Sequence, residues 1–168
     1  MSRSEFERKE RPFGGKNVYF SASLTWAQKP TFEISYRLVQ FMKGGGANVL
    51  DEQLGGRRIE EVREIFHRKT GINLASIEKP WTHVRRIDLE GVIQAEYVAA
   101  EITSPSHGVG MEIQRGIDKG RMGLNHTKIL CLYNRQEIPD DEALTWMIKG
   151  VSPEEHGDFH IIGYTTIE

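Results

Sequence analysis

Glu112 follows the string Ser-Pro-Ser-His-Gly-Val-Gly, where a strand-like run gives way to a helix expected over Met111–Lys119. Gly108 and Gly110 lack a Cβ, so backbone there can turn sharply or let a ligand come close. The N–H groups opening the helix attract anions, and Ser106 adds a hydroxyl. A carboxylate in that first turn should be held ionised, as a nucleophile requires. It equally suits a residue that only complements the helix dipole. Asp88, in "RRIDLEGVIQAEYV", has apolar helical neighbours in Val84, Val92 and Ala95. It is a cap, a paired core charge, or the second member of a catalytic pair. Two carboxyls in unlike surroundings can split the work on a glycosidic bond, one attacking the anomeric carbon and one handling a proton. Tyr19 can orient the attacking carboxylate through its hydroxyl, or simply pack in a core.

These residues need a scaffold. Strands are expected at Asn17–Ser21, Ala47–Asp51, Tyr97–Ile102, Lys128–Tyr133 and Phe159–Tyr164, several continuously apolar like strands buried on both faces. Helical spacing recurs in "TFEISYRLVQFMKGGG", stopped by Gly44–Gly46, and in "RRIEEVREIFHRKTG", stopped by Gly71. The alternating Arg and Glu of the second segment read as an ion-paired solvent face. Further helices are expected over Trp81–Gln94 and Asp140–Lys149. Strands alternating with helices predict an α/β fold with a doubly wound, five-stranded parallel sheet of flavodoxin-like order 2-1-3-4-5. Ligands of such sheets sit beyond the carboxyl ends of strands 1 and 3. That puts "SASLTW" and the Glu112 loop on opposite sides of one crevice.

Length and charge narrow the classes. The 168 residues fit a charged tail over 1–15, expected to be flexible, and a single domain over 16–168. With 38% hydrophobic and 27% charged residues and a net charge of −2, the chain lacks the basic footprint of a nucleic-acid polymer binder. No run is long and apolar enough for a membrane span, and the N-terminus has no apolar signal core. The lone Cys131 cannot close an internal disulfide and reads as inert strand packing, so a reducing, cytoplasmic setting is expected. His156 and His160 have metal-ligand spacing but no third ligand, so no metal site is expected. Trp81, Trp26 and Trp146 are core or interface candidates, and Trp26 is placed to stack on a base.

"VYFSASL", "DLEGVIQAEYVAAEITSPSHGVGMEI", "KILCLY" and "LTWMIKG" together resemble the 2'-deoxynucleoside 5'-phosphate N-hydrolases, relatives of the nucleoside 2-deoxyribosyltransferases. The likeness runs in order from about Asn17 to Tyr164, and Ser-Pro-Ser-x-Gly-Val-Gly-x-Glu is its most specific part. It implies cleavage of a deoxynucleoside monophosphate to free base and deoxyribose 5-phosphate. Glu112 would attack C1' and form a covalent glycosyl intermediate, Asp88 would assist proton transfer at the base or contact the sugar, and Tyr19 would orient the nucleophile. Ser23 and Ser106, beside Gly108 and Gly110, would hold the 5'-phosphate. Thr145, before "MIKG", would reach it from a neighbouring subunit, so the resemblance implies a homodimer with shared sites. No cofactor is expected.

The chain departs from that pattern in four places. The first loop reads Ala22-Ser23-Leu24-Thr25 where the family usually continues Gly-Ser-Ile-Arg, so the cation that grips phosphate is missing unless Lys29 replaces it. An extra helix over Ile59–Lys69 precedes Asp88, the "GRMGLNHT" turn is extended, and the family's helix after the fifth strand has no counterpart in this sequence. A deoxyribosyltransferase using the same Glu112 intermediate, and a non-catalytic nucleotide-binding module on the same sheet, are the alternative readings.

Overall fold

A computed structural model describes residues 11–24 and 29–166, with residues 29–31 in backbone only. Five strands, β1 (Asn17–Ser21), β2 (Asn48–Val49), β3 (Tyr97–Glu101), β4 (Lys128–Asn134) and β5 (Phe159–Tyr164), form one sheet of order β2-β1-β3-β4-β5. Every pairing is parallel, with Val18 opposite Val49 and Tyr97, Ser21 opposite Ala100, and Cys131 opposite Ala100 and Ile161. The α/β class and the strand order are therefore those expected.

Alternation along the strands sorts two cores. Tyr19, Val98, Ala100, Ile129 and Cys131 face α3 (Pro80–Gln94) and α4 (His107–Asp118) through Val92, Val109, Ile113 and Ile117. Val18, Phe20, Val49 and Ala99 face α1 (Lys29–Gly44) through Leu38, Val39 and Met42. A one-residue slip of β1 would exchange Tyr19 for Phe20 and dismantle both sets. Past α1 the second face opens into a groove of about 540 Å3, lined by Phe41, Leu130, Leu132 and Ile162 among others.

Several boundaries differ from the sequence reading for identifiable reasons. β2 stops at Val49, and Asp51 leads into a 3-10 turn over Glu52–Gly55. α2 (Ile59–Thr70) ends where expected, at Gly71 with φ 72°. α4 starts at His107 instead of Met111, because Ser106 caps it by accepting from the Val109 N–H at 3.4 Å. Gly108 and Gly110 therefore lie inside the first helical turn and not in a loop. The single helix expected over Asp140–Lys149 is interrupted: a 3-10 turn spans Asp141–Ala143, buried Leu144 is extended, and α5 is only Trp146–Lys149. At the end of the expected tail, Phe13 and Gly15 donate backbone hydrogen bonds to Gly45 (3.0 Å) and Gly46 (2.9 Å).

The amino ends of the strands are fixed by a buried lysine. Lys119 donates to the Val92 and Ala95 carbonyls at 3.3 and 2.6 Å and to the Thr127 hydroxyl, tying the end of α3 to the entry of β4. This leaves the opposite, carboxyl edge of the sheet for chemistry.

Candidate functional site

β1 supplies three polar groups on alternate residues. Tyr19 and Ser21 point to the α3/α4 face, and Ser23 follows just past the strand; all three are buried. Ser21 Oγ donates to Glu112 Oε2 on α4 and so links the strand to that helix. Glu112 lies in the second turn of α4, so the helix terminus does not govern its charge as expected. Burial raises its proton affinity, and the Ser21 and Tyr19 hydroxyls oppose that rise.

Asp88 on α3 joins the same group. Burial first, then the charge of Glu112, pushes its carboxyl up to about 7. A carboxyl that keeps part of its proton at neutral pH, beside one held by a hydroxyl donor, is the asymmetry that acid and nucleophile roles demand. The Tyr19 hydroxyl has no hydrogen bond of good geometry among the described residues, yet it influences Glu112 and Asp51 and feels Asp88. Its own proton is held far more tightly than usual, chiefly by burial.

Two participants were not singled out in the sequence. Ser21 could have been found by counting two residues on from Tyr19, since both must share a face. Asp51 is 5% exposed and carries a third carboxyl, its proton affinity raised well above normal by burial and by the charges of Asp88 and Glu112. Its signal was position: it follows β2, beside the β1/β3 switch point where ligands gather.

The phosphate candidates divide. Ser23 Oγ is buried without a partner among the described residues, which leaves it as a candidate donor beyond β1. Ser106 is engaged as an acceptor by its capping bond, which leaves its own hydroxyl proton to give, and the first N–H groups of α4 lack intrahelical acceptors. A Cβ on Gly110 would meet nothing within 4 Å and one on Gly108 only Ser106 Oγ at 3.8 Å, so both flank open space. Thr145 is exposed at the start of α5 and makes no side-chain cap hydrogen bond among the described residues. Thr25 and Trp26, and the Lys29 side chain, lie outside the described residues.

The remaining candidates are structural. His156 bonds to the Thr127 carbonyl at 2.7 Å and stacks on His126, while His160 is exposed on β5. No group of three or more potential metal ligands occurs among the described residues. Burial lifts the Cys131 thiol to about 12. No described helix is long and apolar enough to cross a membrane.

No family model matches the chain. It is 28% identical over 145 residues to a Tetraodon nigroviridis protein named 5-hydroxymethyl-dUMP N-hydrolase, covering 86% of this chain and 84% of that one. Its fold is similar to that of the Clostridium botulinum CMP N-glycosidase BcmB, with a TM-score of 0.50 and 14% identity over 90% of this chain and 89% of the other. The chain is thus similar in sequence to a protein named as a nucleotide N-hydrolase, and its fold is like that of a protein named as a nucleotide N-glycosidase.

Proposed function

We propose that the protein hydrolyses the N-glycosidic bond of 2'-deoxynucleoside 5'-monophosphates, releasing free base and deoxyribose 5-phosphate. The observation that carries this reading is the pairing of Glu112, held by the Ser21 hydroxyl, with Asp88, whose carboxyl is pushed up to about 7. Glu112 attacks C1' and forms a glycosyl ester, while the C1'–N bond breaks and the base leaves with the Asp88 proton. The Asp88 carboxylate then takes a proton from water, whose oxygen adds to C1'. The ester bond breaks, Glu112 is restored and Asp88 is protonated again. Ser23, Ser106 and the first N–H groups of α4 receive the 5'-phosphate, and Gly108 and Gly110 keep its approach open.

The name of the sequence relative supports a deoxynucleotide substrate. A homodimer belongs to this reading, with Thr145 donating to the phosphate bound by the partner; the exposure of Thr145, Trp146 and Met147 supports it. A cytoplasmic setting, where nucleotides are available, goes with it.

Chromatographic product analysis tests the reading with each deoxynucleoside, its 5'-monophosphate and the matching ribonucleotide, with and without a second free base. Free base from deoxynucleoside monophosphates alone is expected. Base exchange from unphosphorylated deoxynucleosides would make the protein a deoxyribosyltransferase instead. Glu112→Gln should abolish turnover with the fold intact; near-normal activity would remove Glu112 from the mechanism.

A further inference from the structure

One buried carboxyl stands apart from the cluster and has no part in the scheme above. Glu101 ends β3 and is 2% exposed. It alternates with Tyr97 and Ala99, which pack towards α1, so it lies on the face of the sheet opposite Glu112. Three donors converge on one of its oxygens. Oε1 accepts from the Thr103 hydroxyl, from the Thr103 N–H at 3.3 Å and from the Tyr164 hydroxyl of β5 at 3.1 Å. Thr103 Oγ1 is held from its other side as well, accepting the Asn134 N–H of β4 at 2.9 Å. The carboxyl ends of three strands thus meet at Thr103.

Thr103 opens the segment that carries the phosphate groups. Only Ser104 and Pro105 separate it from Ser106, the cap of α4. Three residue steps span roughly 11 Å at most, and Pro105 fixes its own φ and disfavours helical backbone at Ser104, so little slack is left. Ile102, just before, is still tied to the sheet through its N–H bond to the Leu132 carbonyl at 2.8 Å. The chain therefore leaves the sheet at the residue that Glu101 grips. Burying a carboxyl is costly, and packing alone gives no reason for one here.

We propose that Glu101 is a positioning residue for the 5'-phosphate: it pins Thr103 from the far face of the sheet and thereby fixes Ser106 and the N–H groups that open α4. Glu112 is held separately, by Ser21, so the two functions part. Glu101 governs binding of the phosphate and not attack on C1'.

The inference rests on Ser106 and the α4 terminus receiving phosphate, so its test has one readout with substrate and one without. In kinetics, Glu101→Leu should raise KM for a deoxynucleoside monophosphate about tenfold, with kcat little changed. Glu101→Gln, whose amide oxygen can accept the same three donors, should restore most of the affinity. Thr103→Val should copy Glu101→Leu, and combining the two should add no further loss. Circular dichroism and Tm confirm that each variant is folded at the assay temperature.

The second readout is a titration with inorganic phosphate, followed by the amide NMR shifts of Ser106, His107 and Val109. Binding should weaken about tenfold in Glu101→Leu and recover in Glu101→Gln. A Glu101→Leu protein with lowered Tm but wild-type KM and phosphate affinity overturns the proposal, since Glu101 is then only a brace. So does a Glu101→Gln protein as impaired as Glu101→Leu, or a wild-type protein whose α4 amides do not respond to phosphate. Should no nucleotide be turned over, the hydrolase reading fails while the phosphate titration still decides the role of Glu101.

Discussion

Ser21 and Glu112, 91 residues apart, are joined by a side-chain hydrogen bond that runs from the carboxyl end of β1 into the second turn of α4. It is the link by which the sheet aims the candidate nucleophile, and it is made where β1 and β3 diverge to opposite sides of the switch point. Ser21 is fully buried, so water cannot replace it as donor without rearrangement.

Ser21→Ala should therefore weaken the carboxylate form of Glu112. Its proton affinity, already raised by burial, rises further, so the acid limb of the kcat profile moves to higher pH. A hydrogen bond to a charged group is worth roughly 1.5–3 kcal/mol, which puts the loss in kcat at about 10- to 100-fold near neutral pH. Steady-state rates between pH 5 and 9 check this; an unshifted acid limb would show that Ser21 does not control Glu112.

Asp88 gives a pH dependence of opposite sense in rate and a clear one in stability. It is protonated below about 7, so the rate should fall as pH rises through that value and its proton is lost. Its folded proton affinity exceeds the unfolded one, so the stability it contributes is complete below the unfolded range near 4 and is lost as pH rises through about 7. Asp88→Asn should thus slow turnover strongly while stabilising the fold at pH 8 by a few kcal/mol at most, on the order of the linkage term, and so raising Tm relative to wild type. Thermal scans at pH 5 and pH 8 separate the two effects: the gain should be clearly larger at pH 8 than at pH 5.

Ser23 offers a contrast between binding and folding. Its hydroxyl is buried with no partner among the described residues, so removing it takes away a desolvation penalty instead of one of the bonds seen there. Ser23→Ala should leave Tm unchanged or slightly higher, yet raise KM for a 5'-monophosphate about tenfold, with no effect on the unphosphorylated nucleoside. Equal KM values for wild type and variant would remove Ser23 from the phosphate site.

The sheet could be read from the sequence because its central strands β1 and β3 are buried on both faces and stand out as short, largely apolar runs between helical patterns. Tyr19, Asp88 and Glu112 converge as the strand order required. What was missed follows from local signals overridden by tertiary ones. Gly108 and Gly110 are poor helix formers, but the Ser106 cap and the buried Val109 carry the helix through them. Leu144 favours a helix by composition, yet its burial draws the backbone straight and splits the expected Asp140–Lys149 element. Asp51 looked like the polar end of a strand, because nothing local announces that a carboxyl will be buried among two others.

Gly91 has a bearing on how this protein would respond to selection. A Cβ there would lie 2.8 Å from both Cδ2 and Cε2 of the Tyr19 ring, closer than real side chains come, so α3 lies on β1 only because this position is bare. Asp88 stands one turn earlier on the same helix face. By helix propensity alone, Gly91→Ala should stabilise by about 1 kcal/mol. Here it should instead lower Tm, and cut kcat more steeply than the stability change accounts for, since the displaced helix carries the proton donor with it; paired Tm and kcat measurements on that variant check it. A library built to fill helices with alanine would then discard its own catalyst at position 91, and a homologue that bears a side chain there must hold its tyrosine or its aspartate in another way.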